Sequence, residues 1–290
     1  MPTLIVPGSA EWLRMMTSSK VAAVLGLSPY ESRFSLWHRM SGQIPAQPDS
    51  DVLRRGHYLE PAIVAWFQDQ HPEFVVTHAG TWMHPADARW AASPDRMVYS
   101  TATGSRCLEV KTSADDTEWG PAGTDVIPAG YRAQVVWEMD CTGARACHVA
   151  VLTAFLEFRE YLVTYDPAEA EWIRAQVTAF MDSLPDGANP QRPNIDSHDQ
   201  TYQALRQLNP GIDGTDVDLD PTLARDYCQA RTALDAAKAQ EALTKALVLD
   251  AIGTAKRGRY LEMTIAQRQA KTGGTPYLVA GRNLPNFQET

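Results

Sequence analysis

The sequence of 290 residues is poor in features that define several large classes of protein. Its four cysteines include no C-x-x-C pair, which argues against a zinc or iron–sulfur site and favours a reducing compartment. No apolar run approaches the roughly 18 residues that a membrane-spanning helix needs. The amino terminus lacks a basic segment followed by a long apolar one. We therefore expect a soluble, cytoplasmic protein with no membrane contact.

Basic residues are also scarce, with 26 lysines and arginines against 35 aspartates and glutamates, and a net charge of −9. A protein that binds DNA by charge usually has a basic excess. The acidic balance does not exclude DNA binding, because basic residues can be concentrated on one surface. Arg54 and Arg55 are adjacent, and the segment 253–282 has only Glu262 against six basic residues: Lys256, Arg257, Arg259, Arg268, Lys271 and Arg282.

Several common catalytic motifs are missing from the sequence. There is no G-x-S-x-G nucleophile elbow, no H-E-x-x-H zinc helix and no G-x-x-x-x-G-K-[ST] phosphate loop. Without a phosphate loop, we expect no use of ATP. The seven histidines are scattered without ligand spacing, so we expect each of them to be structural.

The feature around which the chain is organised is a pair of acids with a lysine. Asp95 follows Ser93-Pro94, and Glu109 and Lys111 come fourteen and sixteen residues later. On a strand, Glu109 and Lys111 share one face, because side chains alternate. Two carboxylates suit hard cations such as Mg²⁺ or Mn²⁺, and the lysine can orient water or neutralise charge on a phosphate.

Hydrophobic spacing predicts a mixture of helices and short strands. A strand hairpin over 90–111 is expected to bring Asp95, at its turn end, back toward Glu109. We place the end of the core domain near residue 195, so that residues 1–195 form the core and 196–290 form an extension. The extension is predicted to contain a long helix over 221–252 and a basic terminal hairpin. The main helices of the core are predicted over 9–26, with an interruption at Thr17-Ser18-Ser19, and over 52–70, 128–139 and 167–183.

The order of the motifs resembles one family in particular. The motifs are Thr17-Ser18-Ser19, Gly56 to Glu60-Pro61, Ser93-Pro94-Asp95, Glu109-Val110-Lys111 and Tyr131-Arg132-Ala133-Gln134. Over residues 10–165 the chain resembles the YqaJ-type phage recombinase nucleases, which are lambda exonuclease-like members of the PD-(D/E)xK superfamily. This resemblance implies an α/β (α+β) fold with a restriction-endonuclease-like core, in which helices flank a central mixed sheet.

The resemblance also implies roles for individual residues. The metal ligands would be the acids Asp95, Glu109 and Glu60 with the carbonyl of Val110, and Lys111 would be the catalytic lysine. Two further groups are implied beside these. The catalytic set would include Gln134 and Tyr131, and the pocket for a DNA 5′-phosphate would include Arg14, Thr17 and Ser19.

The activity that the resemblance implies is resection of linear double-stranded DNA from the 5′ end, with Mg²⁺ or Mn²⁺, two ions and no ATP. The expected partners are the DNA, a single-strand annealing protein and further copies of the chain, in a trimeric ring. Two alternatives stay open. One is a structure-selective or site-specific endonuclease of the same fold, and the other is a catalytically inactive protein that binds DNA ends.

Overall fold

A computed structural model describes residues 2–3, 9–48, 50–281, 284–285 and 287. The chain forms two compact units, Met1–Ile212 and Asp213–Thr290. Within the described residues, no helix has both the length and the apolar character needed to cross a membrane.

The first unit alternates helices and short strands. Its helices are α1 (Ala10–Arg14), α2 (Ser18–Val24), α3 (Arg33–Met40), α4 (Asp51–Gln70), α5 (Ala129–Thr142), α6 (Pro167–Asp182) and α7 (Asp199–Leu208). Its strands are β1 (Pro2–Thr3), β2 (Met16–Thr17), β3 (Val75–His78), β4 (Thr81–Met83), β5 (Trp90–Ala92), β6 (Arg96–Ser100), β7 (Gly104–Thr112), β8 (Ala146–Leu152) and β9 (Phe158–Thr164).

A five-stranded mixed sheet forms the centre of this unit, in the order β3-β6-β7-β8-β9. The β7–β8 pair is parallel, and the other three pairs are antiparallel. The crossover between β7 and β8 contains α5, as parallel neighbours require. A second sheet, in the order β1-β4-β5-β2, has four short strands.

Both faces of the central sheet are covered by helices. On one face Leu108 of β7 packs with Ile63 and Phe67 of α4 in one apolar cluster. On the other face Cys107 belongs to the larger cluster that includes Val136 of α5. Because adjacent residues of β7 serve different clusters, the strand is buried on both sides over its middle. The expected fold class, a mixed sheet flanked by helices, is confirmed.

The helix predicted over 9–26, with its interruption at Thr17-Ser18-Ser19, is instead divided into α1, β2 and α2, and the break is a strand at Met16–Thr17. Met16 and Thr17 are buried and pair in parallel with Trp90 and Ala91 of β5. Pairing with a distant strand therefore overrides the helical spacing of the apolar residues. Thr17 then stands as the residue before α2, in an extended conformation.

The second unit contains α8 (Pro221–Ile252) and a three-stranded antiparallel sheet of β10 (Arg257–Tyr260), β11 (Met263–Gln269) and β12 (Tyr277–Ala280). The Asp220 carboxylate accepts from the backbone N–H groups of Thr222 and Leu223, and Pro221 occupies the first turn. These are favourable residues for a helix start. The predicted long helix has the bounds seen here. The predicted hairpin gains a third strand, β10, and Arg282 lies outside the described residues.

The first unit continues past residue 195 because α7 packs on it. The Thr201 hydroxyl donates to the Ser32 hydroxyl at 2.7 Å, and Ala204 packs with Phe34 and Ile44. The compact unit ends at Ile212. The domain boundary near residue 195 stays a prediction, and a truncation that keeps the compact unit whole is placed after Ile212.

Candidate active site

The site lies at the start of β6 and at the end of β7, which pair with each other. The two strands pair from Arg96 opposite Leu108 to Ser100 opposite Gly104, so their connecting turn lies at 101–103. Asp95 immediately precedes β6 and lies at the end of the pair away from this turn. The expected hairpin over 90–111, with Asp95 at its turn end, is therefore wrong, since β5 belongs to another sheet. The predicted meeting of Asp95 with the strand of Glu109 nevertheless occurs.

Glu109, Lys111 and Gln134 form one hydrogen-bonded group between β7 and α5. Lys111 Nζ donates to Glu109 Oε1 at 2.5 Å and to Gln134 Oε1 at 3.2 Å. Gln134 Nε2 donates to the same Glu109 oxygen at 2.6 Å. Burial alone would lower the pKa of Lys111, but the charges of Glu109 and Asp95 outweigh it and raise that pKa. The lysine is therefore held as a cation.

Glu138 completes this group, although sequence reasoning gave it no role. Gln134 Nε2 also donates to Glu138 Oε1 at 2.9 Å. The Glu138 side chain is fully buried, and burial followed by the charge of Glu109 raises its pKa well above the ordinary value. Its position one helical turn after Gln134 was the available signal, because residues four apart share a helix face.

The Asp95 carboxylate contacts the backbone of β7. The Val110 backbone N–H donates to Asp95 Oδ2 at 2.7 Å, which fixes this carboxylate beside the Glu109-Val110-Lys111 segment. Burial, and then the charge of Glu109, raise the pKa of Asp95 to about 8. A carboxyl group whose pKa is raised by burial and by a neighbouring carboxylate lies where a bound cation would offset the negative charge.

Glu60 is tied to Asp95 by an arginine that sequence reasoning missed. Arg96 Nη1 donates to Glu60 Oε1 at 2.7 Å and to the Asp95 backbone carbonyl at 2.6 Å. Glu60 therefore lies next to the segment that carries Asp95, with one of its oxygens engaged by a cation. No local pattern signals this pair, because Glu60 and Arg96 are 36 residues apart.

Tyr131 flanks the lysine with an aromatic ring. Lys111 Nζ lies 5.0 Å from the centre of the Tyr131 ring, within the range of a cation–π contact. Trp119, from the segment between β7 and α5, packs on Tyr131 with ring centres 5.7 Å apart. The segment between β7 and α5 thus holds a buried residue against the site.

The three residues expected to bind a 5′-phosphate are only partly brought together. Thr17 Oγ1 and Ser19 Oγ lie 3.3 Å apart, with Thr17 buried and Ser19 exposed. Among the described residues, no hydrogen bond joins Arg14 to either hydroxyl. Thr17 pairs with Ala91 of β5, the strand that leads toward Asp95.

The donors at the site suit a hard divalent cation. Glu109 Oε2 is buried and has no hydrogen-bond partner among the described residues, which is costly for a carboxylate oxygen unless a cation or water engages it. Carboxylates from Asp95 and Glu109, with a backbone carbonyl beside them, are the all-oxygen ligands that Mg²⁺ and Mn²⁺ prefer. The residues present therefore fit such an ion.

The mixed α/β core holds Glu109 and Lys111 on its central strand β7, with Asp95 beside them. Residues 11–145 match the family model of the YqaJ-like viral recombinase domain. This match over residues 11–145 confirms the resemblance seen in the sequence. The match includes Asp95, Glu109, Lys111 and Gln134 within its span.

Solved structures with a similar course of the chain include an alkaline exonuclease from Laribacter hongkongensis. It is 25% identical over 59% of this chain and 88% of its own, with a TM-score of 0.46. The structure of the exonuclease LHK-Exo in complex with dAMP is 24% identical over 60% of this chain and 90% of its own, with a TM-score of 0.47. A phage-related exonuclease from Haemophilus somnus is 11% identical over 58% of this chain and 92% of its own, with a TM-score of 0.43. No curated protein matches the chain.

Proposed function

We propose that this protein is a metal-dependent exodeoxyribonuclease that resects linear double-stranded DNA from the 5′ end during phage-type homologous recombination. The match to a viral recombinase domain supports the biological setting. One observation carries the chemical part of the proposal. Glu109 presents a buried oxygen to which no described residue donates a hydrogen bond, beside the Asp95 carboxylate and the protonated Lys111.

The metal would be held by residues from three segments. Asp95, Glu109 and the Val110 carbonyl would bind one Mg²⁺ or Mn²⁺, and Glu60 would contribute to a second ion. Once bound, the metal would supply Lewis-acid stabilisation of negative charge on the scissile phosphate. Arg96 restrains Glu60 and the backbone of Asp95 together, so the acids on the two segments keep a fixed separation.

The chain's own groups would stabilise the reacting phosphate directly. Lys111 keeps its proton between Glu109 and Gln134, so its ammonium group is available to offset charge that develops on phosphate oxygens. Gln134 holds the Lys111 amine through its carbonyl and the Glu109 carboxylate through its amide nitrogen. Tyr131 limits the movement of the lysine on its open side.

The proposed polarity rests on a pocket for the terminal 5′-phosphate. Thr17 and Ser19 would donate hydroxyl hydrogen bonds to the phosphate, and Arg14 would add a charge-assisted bond after its side chain turns toward them. Hydrolysis of each nucleotide, without ATP, would provide the free energy for movement along the DNA.

The proposed partners follow from the same function. Resection exposes a single strand, which a single-strand annealing protein would bind. An acidic protein that must hold DNA would benefit from a closed ring, since a threaded duplex is retained by topology as well as by phosphate contacts. We therefore propose a homotrimeric ring that acts in the cytoplasm of a bacterial host of the phage or prophage. Light scattering on the purified chain tests the trimer.

The direct test is a digestion of linear duplex labelled at the 5′ or the 3′ end, with Mg²⁺ or with a chelator. We expect Mg²⁺-dependent release of 5′ label first, while covalently closed circular duplex stays intact. Cleavage of the circle would favour the endonuclease. Retention of intact linear duplex on the protein would favour the inactive end-binding alternative.

A further inference from the structure

Two histidines and a glutamate meet on the face of the central sheet opposite Glu109. His71 follows α4, His148 lies in β8, and Glu160 lies in β9. The His148 ring packs against the rings of Phe67 and Phe74, at centre distances of 5.3 and 5.2 Å. Phe67 and Phe74 belong to the apolar cluster on the α4 face, so this group is separate from the site on the α5 face.

One carboxylate lies between the two imidazoles. His71 Nε2 is 2.6 Å from Glu160 Oε2, and His148 Nδ1 is 2.7 Å from Glu160 Oε1. The three potential ligand atoms all lie within 4.8 Å of one another. Two ring nitrogens and one carboxylate oxygen, supplied by three separate segments, form the ligand set of a catalytic or regulatory zinc site.

The surroundings satisfy further requirements of such a site. His71 Nδ1 lies 3.1 Å from Glu73 Oε1, so a carboxylate can hold the second ring nitrogen and orient the imidazole, as outer carboxylates do for zinc-bound histidines. The His148 side chain is 5% exposed, whereas those of His71 and Glu160 are 24% and 23% exposed. The group is therefore anchored on its inner side and open to solvent on its outer side.

We propose that His71, His148 and Glu160 bind a borderline transition-metal ion of the Zn²⁺, Co²⁺ or Ni²⁺ type, in a site independent of the candidate nuclease centre. The ion takes one nitrogen from each histidine and one carboxylate oxygen, with water in the remaining position. It ties the end of α4 to β8 and β9. The set differs in kind from Asp95, Glu109 and Val110, which offer only oxygen and suit a harder ion.

Arg106 sets how tightly this site binds. Its Nη1 lies 3.1 Å from His148 Nε2 and donates to it, so the ring proton resides on Nδ1, which faces Glu160. A metal at Nδ1 requires that proton to reside on Nε2, opposite the Arg106 donor. Arg106 must therefore rotate away when the metal binds, and its removal is expected to strengthen binding.

The test uses the full chain with Asp95→Asn and Glu109→Gln, so that the oxygen site no longer contributes. After chelation and removal of the chelator, Co²⁺ is titrated and followed by its visible absorption, and Zn²⁺ is then used to displace it. We expect one Co²⁺ per chain with the intense bands of a four-coordinate ion. Addition of His71→Gln or Glu160→Gln is expected to abolish these bands, and Glu73→Gln to weaken binding by about 10- to 100-fold.

Arg106→Ala is expected to tighten binding, and His78→Gln, which changes an exposed histidine outside the group, is expected to leave it unchanged. Circular dichroism and melting without metal establish that each variant is folded, and Glu73→Gln and Arg106→Ala give a result even if a ligand variant unfolds. Absence of Co²⁺ binding in the background chain, or equal binding after His71→Gln, overturns the proposal. Neither outcome bears on the nuclease, since DNA digestion is measured separately.

Discussion

Gln134 donates to Glu109 Oε1 at 2.6 Å with its amide nitrogen, while its amide oxygen accepts from Lys111. The two polar atoms of the Gln134 amide therefore bind different groups: the nitrogen binds the Glu109 carboxylate, and the oxygen binds the Lys111 ammonium group. Glu138 accepts from the same nitrogen and prevents the amide from turning over. A side chain on α5 therefore fixes both functional groups of the Glu109-Val110-Lys111 segment.

The first prediction concerns the removal of the Gln134 amide. Gln134→Ala should lower kcat by about 10- to 100-fold with a small change in KM, because the amide positions groups that act mainly in the transition state. Gln68→Ala, which changes an exposed glutamine on α4, should have no effect. Steady-state digestion of linear duplex measures both constants. A rise in KM with unchanged kcat would assign Gln134 to substrate binding instead.

The second prediction concerns the end of the DNA. The wild type should digest a duplex with a 5′-phosphate faster than one with a 5′-hydroxyl, because Thr17, Ser19 and Arg14 would bind the phosphate. Ser19→Ala and Arg14→Ala should narrow this difference, while Arg231→Ala, on exposed α8, should not. Initial rates on the two substrates provide the measurement. If the wild type digests the two substrates at equal rates, these residues do not form a pocket for the 5′-phosphate.

The third prediction concerns stability at low pH. Burial alone would raise the pKa of Asp140, but hydrogen bonds from His84, Tyr165 and Arg174 outweigh it and lower that pKa to about 2. An acid whose pKa is lowered in the folded protein stabilises the fold at pH values above its unfolded pKa, which is about 4 for aspartate. This contribution is lost as the pH falls toward 2. The contribution of Asp140 to the free energy of unfolding is about 2 kcal/mol.

Denaturant unfolding of the wild type and Asp140→Asn tests this contribution. The wild type should be the more stable chain at about pH 5, and the difference should shrink by about 2 kcal/mol as the pH approaches 2. Asp235→Asn, at an exposed position on α8, serves as the matched control. A difference that stays constant over this range would show that Asp140 does not act through its charge.

The fourth prediction concerns the second unit. A chain truncated after Ile212 keeps α7 and should still digest short duplexes, but it should lose salt resistance and degrade shorter lengths per encounter. The physical reason is the loss of exposed basic residues such as Lys256 and Lys271, which would contact phosphates. In the full chain, Lys256→Glu with Lys271→Glu should reproduce the salt effect. If digestion by the truncated chain and by the double variant depends on salt as in the wild type, the second unit does not contact DNA.

The sequence was informative wherever local periodicity controls structure. Alternation along β7 predicted that Glu109 and Lys111 would share a face. Contacts between distant segments gave no such signal. The pairing of β2 with β5 broke a helix that the apolar spacing favoured.

Charged contacts across the fold were equally invisible in the sequence. Arg96 reaches Glu60 only because α4 packs on the central sheet, and His71 meets His148 for the same reason. Their separations in the chain follow no motif, since each pair is set by tertiary packing. Two of the histidines that looked scattered in the sequence, His71 and His148, are therefore close together in the folded protein.

The most direct test of the central claim is the metal-dependent digestion of 5′-phosphorylated linear duplex by Asp95→Asn, Glu109→Gln and Lys111→Met beside the wild type. Each variant keeps the size of its side chain, and melting curves establish that it is folded. Each variant should lose about 100-fold or more in rate, because each group acts on the metal or on charge in the transition state. A folded Glu109→Gln or Lys111→Met chain that digests DNA at the wild-type rate would contradict this prediction.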